Sequence, residues 1–569
     1  MEERQWWKES VVYEIYPRSF KDSNGDGVGD LGGILEKLDY LEELGVETLW
    51  ITPVYSSPNA DYGYDIRDHY RIAGEYGSMA DFELLLDEIH KRGMKLLMDL
   101  VVNHTSDEHP WFIEARSSAD NPYRDYYIWR PGKEDGSPPN NWLSYLGESV
   151  WTYDPHTREY YFHLYSRRQP DLNWDNPKVR REMRNIIRFW LDKGIDGFRI
   201  DAVNVISKES DLPDAERSPE EKLQANGEPH YKNGPNIHTY LKELHEVFSQ
   251  YPIVTAGETS SVTIDDVKRY TSPEQKELDM VLMIEASKIA DPEHDMWEEK
   301  QWTLTELKSI VKNWQQELHG QGWIGLYLSN HDHPRLVSYL GHEGEYREAS
   351  AKLLATLLLT LRGTPFIYQG EELGMTNADH LQGIEDFKEQ QALAYFRTMV
   401  LDKGHDEDQI MQRIRRKSRD NARTPLQWEN SREAGFTDGI PWMPVNPNYK
   451  EIHAAGQLQD NRSVLNYYKR MIALRRANRA LVYGCYTPLL EEHEQLLIYK
   501  REYEDEQWLI IMNFSEVEVE LELSPELIAY WKNGDRELLI HNYEEERMMT
   551  DETIQGGCQL KPYEAMVWR

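Results

Sequence analysis

Eight short apolar runs, most of them separated by helical patterns, constrain this chain more than any other feature of its sequence. They are VVYEIYP (11–17), TLWITPV (48–54), KLLMDLVVNH (95–104), GFRIDAV (197–203), PIVTAGE (252–258), DMVLMIEA (279–286), WIGLYLSNHD (323–332) and TPFIYQGEE (364–372). Segments such as LGGILEKLDYLEELG (31–45) and DFELLLDEIHKRG (81–93) carry the helical period between them. Strand and helix in alternation predict the α/β class and a parallel (β/α)8 TIM barrel. A doubly wound sheet gives the same alternation, so spacing alone leaves both open.

Two interruptions exceed ordinary loops. Residues 105–172, rich in Trp, Tyr, Pro and Asn, read as an inserted subdomain after the third strand. Residues 375–460 read as a second elaboration after the eighth. From 483 to 569 the pattern turns to alternating strands such as LLIYKREY and QWLIIMNFS, which predicts a C-terminal all-β sandwich. The barrel is thereby expected over 1–104 and 173–482.

The chain has 569 residues and is 39% hydrophobic, enough to bury a large core. Its 64 basic and 100 acidic residues leave a net charge of -36, which repels phosphate backbones and anionic membranes and argues against nucleic acid or membrane partners. Only Cys485 and Cys558 occur, so there is room for one disulfide and no framework. With no signal-peptide pattern and no long apolar run, the expected compartment is the cytoplasm.

In parallel barrels chemistry gathers at the C-terminal ends of the strands. Charged residues accumulate there: Asp65 in a following loop, His104, Arg199, Asp201, Glu258, and the pair His331–Asp332. Arg199 and Asp201 are two apart and leave the strand on the same side. An arginine so placed favours the ionised aspartate, which suits a nucleophile. Glu258, in less polar surroundings with Asp201 near, suits a general acid. Two carboxylates with opposed protonation needs are the equipment of glycoside hydrolysis, and Asp332 supplies a third acid. Each residue alone could be a structural salt bridge at the barrel rim. Three at the ends of separate strands fit that role less well.

A further acidic stretch, KDSNGDGVGDL (21–31), sets Asp22, Asn24, Asp26 and Asp30 at alternating positions. With the Val28 carbonyl, these oxygens can wrap a hard cation, although Gly33 stands where an EF-hand needs its glutamate. An ordinary Asp/Asn/Gly turn accounts for the stretch equally well.

The motifs DLVVNH (99–104), GFRIDAV (197–203), AGET (256–259) and LSNHD (328–332), in this order, resemble the α-amylase superfamily of glycoside hydrolases. QPDLNW (169–174), RGTPFIYQGEELGMTN and SRDNARTPLQW bring the resemblance to the oligo-1,6-glucosidase and α-glucosidase subgroup, over about residues 6–480. It implies Asp201 as nucleophile, Glu258 as acid/base and Asp332 as transition-state stabiliser. Retention of configuration implies nucleophile and acid carboxyls about 5–5.5 Å apart. It further implies that Asp65 pairs with Arg419 to close a pocket for one terminal glucose, which makes the action exo. His104, Arg199 and His331 are implied to contact that sugar, Tyr64 to stack on it, and Tyr165 to wall the pocket. Calcium, or magnesium, is implied in the 21–31 loop in a structural role. Asn103, a calcium ligand in many α-amylases, is implied to hold no metal in this subgroup.

Linkage is read at Ala202. Relatives preferring α-1,6 bonds usually carry valine after the nucleophile, and those preferring α-1,4 bonds alanine or threonine. Thr259 likewise departs from the methionine usual in α-1,6 members. The expectation is an α-1,4 preference on short oligosaccharides, with α-1,6 hydrolysis as the alternative. Trehalose-6-phosphate hydrolysis and sucrose isomerisation are more distant alternatives. His333 and MIEAS (283–287) depart from the subgroup pattern near the second sugar, and SKIADPEHD (287–295) lacks the arginines of sucrose isomerases.

Overall fold

A computed structural model describes residues 4–217, 225–291, 296–532, 536–543 and 558–569. The end of the SKIADPEHD stretch, 292–295, lies outside them. Eight parallel strands close a barrel: β1 (Val12–Ile15), β2 (Thr48–Ile51), β3 (Lys95–Val101), β4 (Gly197–Asp201), β5 (Val254–Gly257), β6 (Met280–Leu282), β7 (Ile324–Leu326) and β8 (Thr364–Tyr368). Each pairs with its neighbour in chain order, and β8 pairs back onto β1 through Val12 and Phe366. That closure decides against the doubly wound sheet, which would leave two open edges.

Strands buried on both faces read as continuous apolar runs, and every residue of β1, β2, β4 and β8 is buried. The surrounding helices bury one stripe each. Met79–Lys91 starts on a reciprocal Ser78–Asp81 capping box and buries Phe82, Leu85, Leu86 and Ile89. Pro177–Asp192, which leads into β4, starts on Asn176 with proline in its first turn and buries Met183, Ile186, Ile187 and Trp190. The helix expected over 31–45 is two, Leu31–Glu36 and Leu38–Leu44, broken at Lys37 by its non-helical backbone (φ -108°, ψ 10°).

Between β3 and β4 the chain builds a three-stranded antiparallel sheet from Trp129–Arg130, Trp151–Asp154 and Glu159–Phe162. At the C-terminal end, a five-stranded antiparallel sheet packs with a two-stranded one around Leu496, Ile498, Leu509, Leu521, Leu560 and Trp568. This part is not strand alone. The helix Pro525–Lys532 buries Leu527, Tyr530 and Trp531 in the same core. Both cysteines are free thiols, so the one possible bridge is not formed. No described helix is long and apolar enough to cross a membrane.

Candidate active site

Arg199, at the middle of β4, is the hub of the site. It is 1% exposed, and its guanidinium touches three carboxylates. Nη1 donates to Asp99 Oδ1 and Oδ2 at 2.9 and 3.0 Å and to Asp201 Oδ1 at 2.8 Å, while Nη2 lies 2.6 Å from Glu258 Oε2. The period of β4 puts Arg199 and Asp201 on the same side, and the neighbouring strands bring Asp99 and Glu258 to it. Backbone bonds lock that junction: Glu258 N–H donates to Ile200 O at 2.9 Å, and Val203 N–H donates to Glu258 O at 3.0 Å.

Ala202 sits in the left-handed region with φ 43° and ψ 40°. Non-glycine residues adopt it rarely, and here it aims the Ala202 N–H at Glu258 Oε2, 3.2 Å away.

Arg199 favours the ionised Asp201 as expected, but it does not set the net shift. Burial drives the Asp201 carboxyl well above its ordinary value. Arg199 opposes this, and Glu258, Asp99 and Asp332 add to it. Asp99 is likewise pushed up to about 6 by burial. Asp201 and Asp99 thus share one guanidinium in a buried place, where burial disfavours their charged forms more than that one cation favours them.

Asp332 is different. Burial would raise it, but His331, Arg419, Arg423 and Arg199 outweigh burial and hold it well below its ordinary value. Arg423 Nη2 lies 2.7 Å and Arg419 Nη1 3.0 Å from Asp332 Oδ1. It is a fixed anion.

The remaining expected residues fall into two groups. Tyr64 is stacked on His331 with ring centres 5.3 Å apart, and its hydroxyl donates to Asp99 Oδ2 at 2.9 Å. His104 donates from Nε2 to Tyr64 O at 3.2 Å, and Tyr165 packs on its ring at 5.0 Å. These gather around the acids. Asp65 does not join them, and the expected Asp65–Arg419 pair is not formed. The Asp65 carboxylate is fully buried and occupied by Ser57 Oγ and the N–H groups of Ala60 and Asp61, at 2.8 to 2.9 Å. Asp65 thus builds the turn that presents Asp61. It is Asp61 Oδ1 that faces Arg419 Nη2, at 3.8 Å, while Gln169 Nε2 donates to Asp61 Oδ2 at 3.0 Å.

Several site residues have no role in the sequence reading. Asp99, Gln169 and Arg423 lie inside the motifs DLVVNH, QPDLNW and SRDNAR, so a signal existed for them. Glu389, fully buried, anchors Arg419 through Nε at 2.7 Å and the backbone N–H at 2.8 Å, and nothing in its surrounding sequence marks it.

The 21–31 loop has hard oxygen donors, which fit calcium or magnesium in kind. Its Asx oxygens also accept backbone bonds in sequence: Asn24 N–H to Asp22, Asp26 N–H to Asn24 and Val28 N–H to Asp26, each at 2.9 Å. Asp30 caps the following helix through Gly33 N–H at 2.7 Å. Among the described residues no three acidic, His or Cys groups stand close enough to hold a metal, so an ion in this loop would also need the Asn24 and Val28 oxygens. At Asn103 the Lys208 ammonium donates to Oδ1 at 2.8 Å and pairs with Asp171 at 2.7 Å.

A paired set of acids on one arginine, beside a fixed anion at a barrel rim, is glycosidase chemistry. Residues 14–484 match the family model "Alpha amylase, catalytic domain", and residues 486–547 match "Maltogenic Amylase, C-terminal domain". The chain belongs to the α-amylase family. This family member is a retaining glycoside hydrolase of the α-glucosidase type. It is 52% identical to an oligo-1,6-glucosidase of Parageobacillus thermoglucosidasius, over 100% of this chain and 99% of that one. Among solved structures, it is similar to a trehalose-6-phosphate hydrolase of Bacillus licheniformis, at 45% identity, TM-score 0.92 and 99% coverage of both chains. An isomaltulose synthase from Klebsiella sp. LX3 superposes with TM-score 0.94 at 42% identity, over 100% of both. The amylase-family barrel thus carries hydrolases and a synthase among these relatives, so the fold alone does not set the substrate.

Proposed function

We propose that this glycosidase removes glucose from the non-reducing end of short α-glucosides and prefers α-1,6 over α-1,4 bonds. The observation that carries the linkage is the 52% identity, along the full chain, to an oligo-1,6-glucosidase. It outweighs the α-1,4 preference expected from Ala202 and Thr259, which rested on two side chains. Exo action is supported by Asp61, Arg419 and Asp332 standing together beside the catalytic acids.

In this reading Glu258 gives its proton to the glycosidic oxygen as that bond to C1 breaks, and Asp201 attacks C1 to form a glycosyl ester. Water then attacks C1, giving its proton to Glu258, and Asp201 leaves. Asp332, an anion throughout, supports positive charge growing on the sugar.

Initial rates on isomaltose and maltose at equal concentration test the linkage, with sucrose and trehalose-6-phosphate alongside. Isomaltose is expected to be hydrolysed faster by about tenfold or more, the discrimination a shaped pocket provides. Faster maltose hydrolysis would restore the Ala202 reading. Activity confined to trehalose-6-phosphate or sucrose would move the substrate to a different relative.

We also propose that the 21–31 loop takes a calcium or magnesium ion through Asp22, Asn24, Asp26, the Val28 carbonyl and Asp30. Its donor types support this, and because it carries none of the motifs that hold the acids, the role is structural. Adding calcium to chelator-treated enzyme should raise the melting temperature, by about 2.7 kcal/mol of stability at a hundredfold excess over Kd. Asp26→Asn should weaken the response. An unchanged melting temperature would rule the metal out.

A further inference from the structure

Glu14 is a buried acid that the reaction does not use. It lies on β1, is 1% exposed, and places Oε1 2.6 Å from Nδ1 of His331, which is fully buried. The His331 backbone N–H reaches the same oxygen at 3.4 Å. On the other side of the ring, His331 Nε2 has no hydrogen-bond partner and lies 3.3 Å from Asp332 Oδ2. A neutral imidazole carries one hydrogen, and the partner of one nitrogen decides where it sits.

We propose that Glu14 is the positioning residue that fixes the tautomer of His331, by donating a carboxylic-acid hydrogen bond to Nδ1. The geometry at Asp332, with a neutral ring, favours it. Asp332 is an anion and can only accept, so a bare Nε2 lone pair at that distance would be repelled, and Nε2 must carry the hydrogen. Burial keeps the ring neutral, down to about 3, so Nδ1 is bare and Oε1 must supply the hydrogen between them. Glu14 is suited to this. Burial drives its carboxyl well above the ordinary value, with Asp332 and Asp99 adding to it and Arg199 and the His331 N–H opposing. Tyr327 and Tyr368 also face it, and both stay neutral because burial raises them.

The consequence lies in the pocket. His331 offers an N–H donor beside the Asp332 acceptor, a pair that can grip one sugar hydroxyl from both sides. With the other tautomer two acceptors would face that hydroxyl. The grip on the sugar rests on the proposed function, whereas the tautomer does not.

Nitrogen-15 NMR of histidine-labelled enzyme at neutral pH tests the proposal, with the His331 signals assigned by their loss in His331→Asn. The expected pattern is a bare Nδ1 and a protonated Nε2. Glu14→Gln should keep it, because a carboxamide also donates to Nδ1, and should hold kcat/KM within a few-fold. Glu14→Leu cannot donate, and should mix the tautomers and lower kcat/KM on the order of tenfold. A hydrogen on Nδ1, or on both nitrogens, in the wild-type enzyme would overturn the proposal. A changed tautomer in Glu14→Gln with full activity would overturn it too. Failure of the enzyme on every glucoside would sink the functional reading and leave the NMR result standing.

Discussion

Asp201→Asn is expected to lower kcat on every α-glucoside by about 10⁴-fold or more, the scale of losing a covalent nucleophile. The carboxamide has almost the same shape, and its oxygen can still accept from Arg199, so the loss reads chemistry and not geometry. Charge makes a second readout. Asp201, Asp99 and Glu258 share a single guanidinium at 2.6 to 3.0 Å, so taking one carboxylate away relieves a buried excess of negative charge. The melting temperature of the variant should therefore equal or exceed that of the wild type. Retained activity within tenfold would refute the assignment of Asp201. A large fall in stability would refute the description of the cluster as overcharged.

Glu258→Gln should split substrates by leaving group. A sugar leaving group needs a proton as the bond breaks, so hydrolysis of a disaccharide should fall by about 10³-fold. An aryl glucoside whose phenol leaves unaided should form the glycosyl-enzyme almost as fast as before, and then stall, because no base remains to activate water. Azide, which needs no base, should restore its turnover. Equal losses on both substrates, with no rescue, would mean that Glu258 only shapes the pocket. Steady-state rates on the two substrates, with and without azide, make the comparison.

The barrel was legible because strands buried on both faces must be apolar, and eight such runs alternating with helices are compatible with few folds. The same logic exposed Arg199: an arginine inside a run such as GFRIDAV has to meet acid partners to be buried. Its neighbours were harder. Asp99 sits in the apolar β3, and only the pairing of β3 with β4 reveals that it shares Arg199 with Asp201. Asp61 and Asp65 show the limit most clearly. Both lie in one loop and both are acidic, and which of them reaches Arg419 depends on which is consumed by the turn itself. Asp65 is taken up by the N–H groups of Ala60 and Asp61, a local backbone geometry that residue types do not encode. Glu389 and Arg419 meet across a fold of the chain in the elaboration after β8, where no period guides a reading.

Protonation was likewise hidden. Two residues of one strand suggested a simple ion pair, in which arginine lowers aspartate. Burial reverses the direction, and the two further acids on the same arginine add to it; both come only from the packed strands. Asp332 has the opposite balance, with the guanidiniums of Arg419 and Arg423 on its carboxylate. The two neighbouring acids differ because one lies among carboxylates and the other among cations.

The most direct test of the central assignment is to trap the glycosyl-enzyme. A fluorinated glucosyl fluoride forms such an ester faster than it is hydrolysed, and peptide mapping by mass spectrometry then locates the sugar. With Asp201 as nucleophile, one glucosyl unit per chain is expected, on the peptide that contains Asp201. A label on the peptide of Asp332 or Glu258, or inactivation with no covalent sugar, would contradict it.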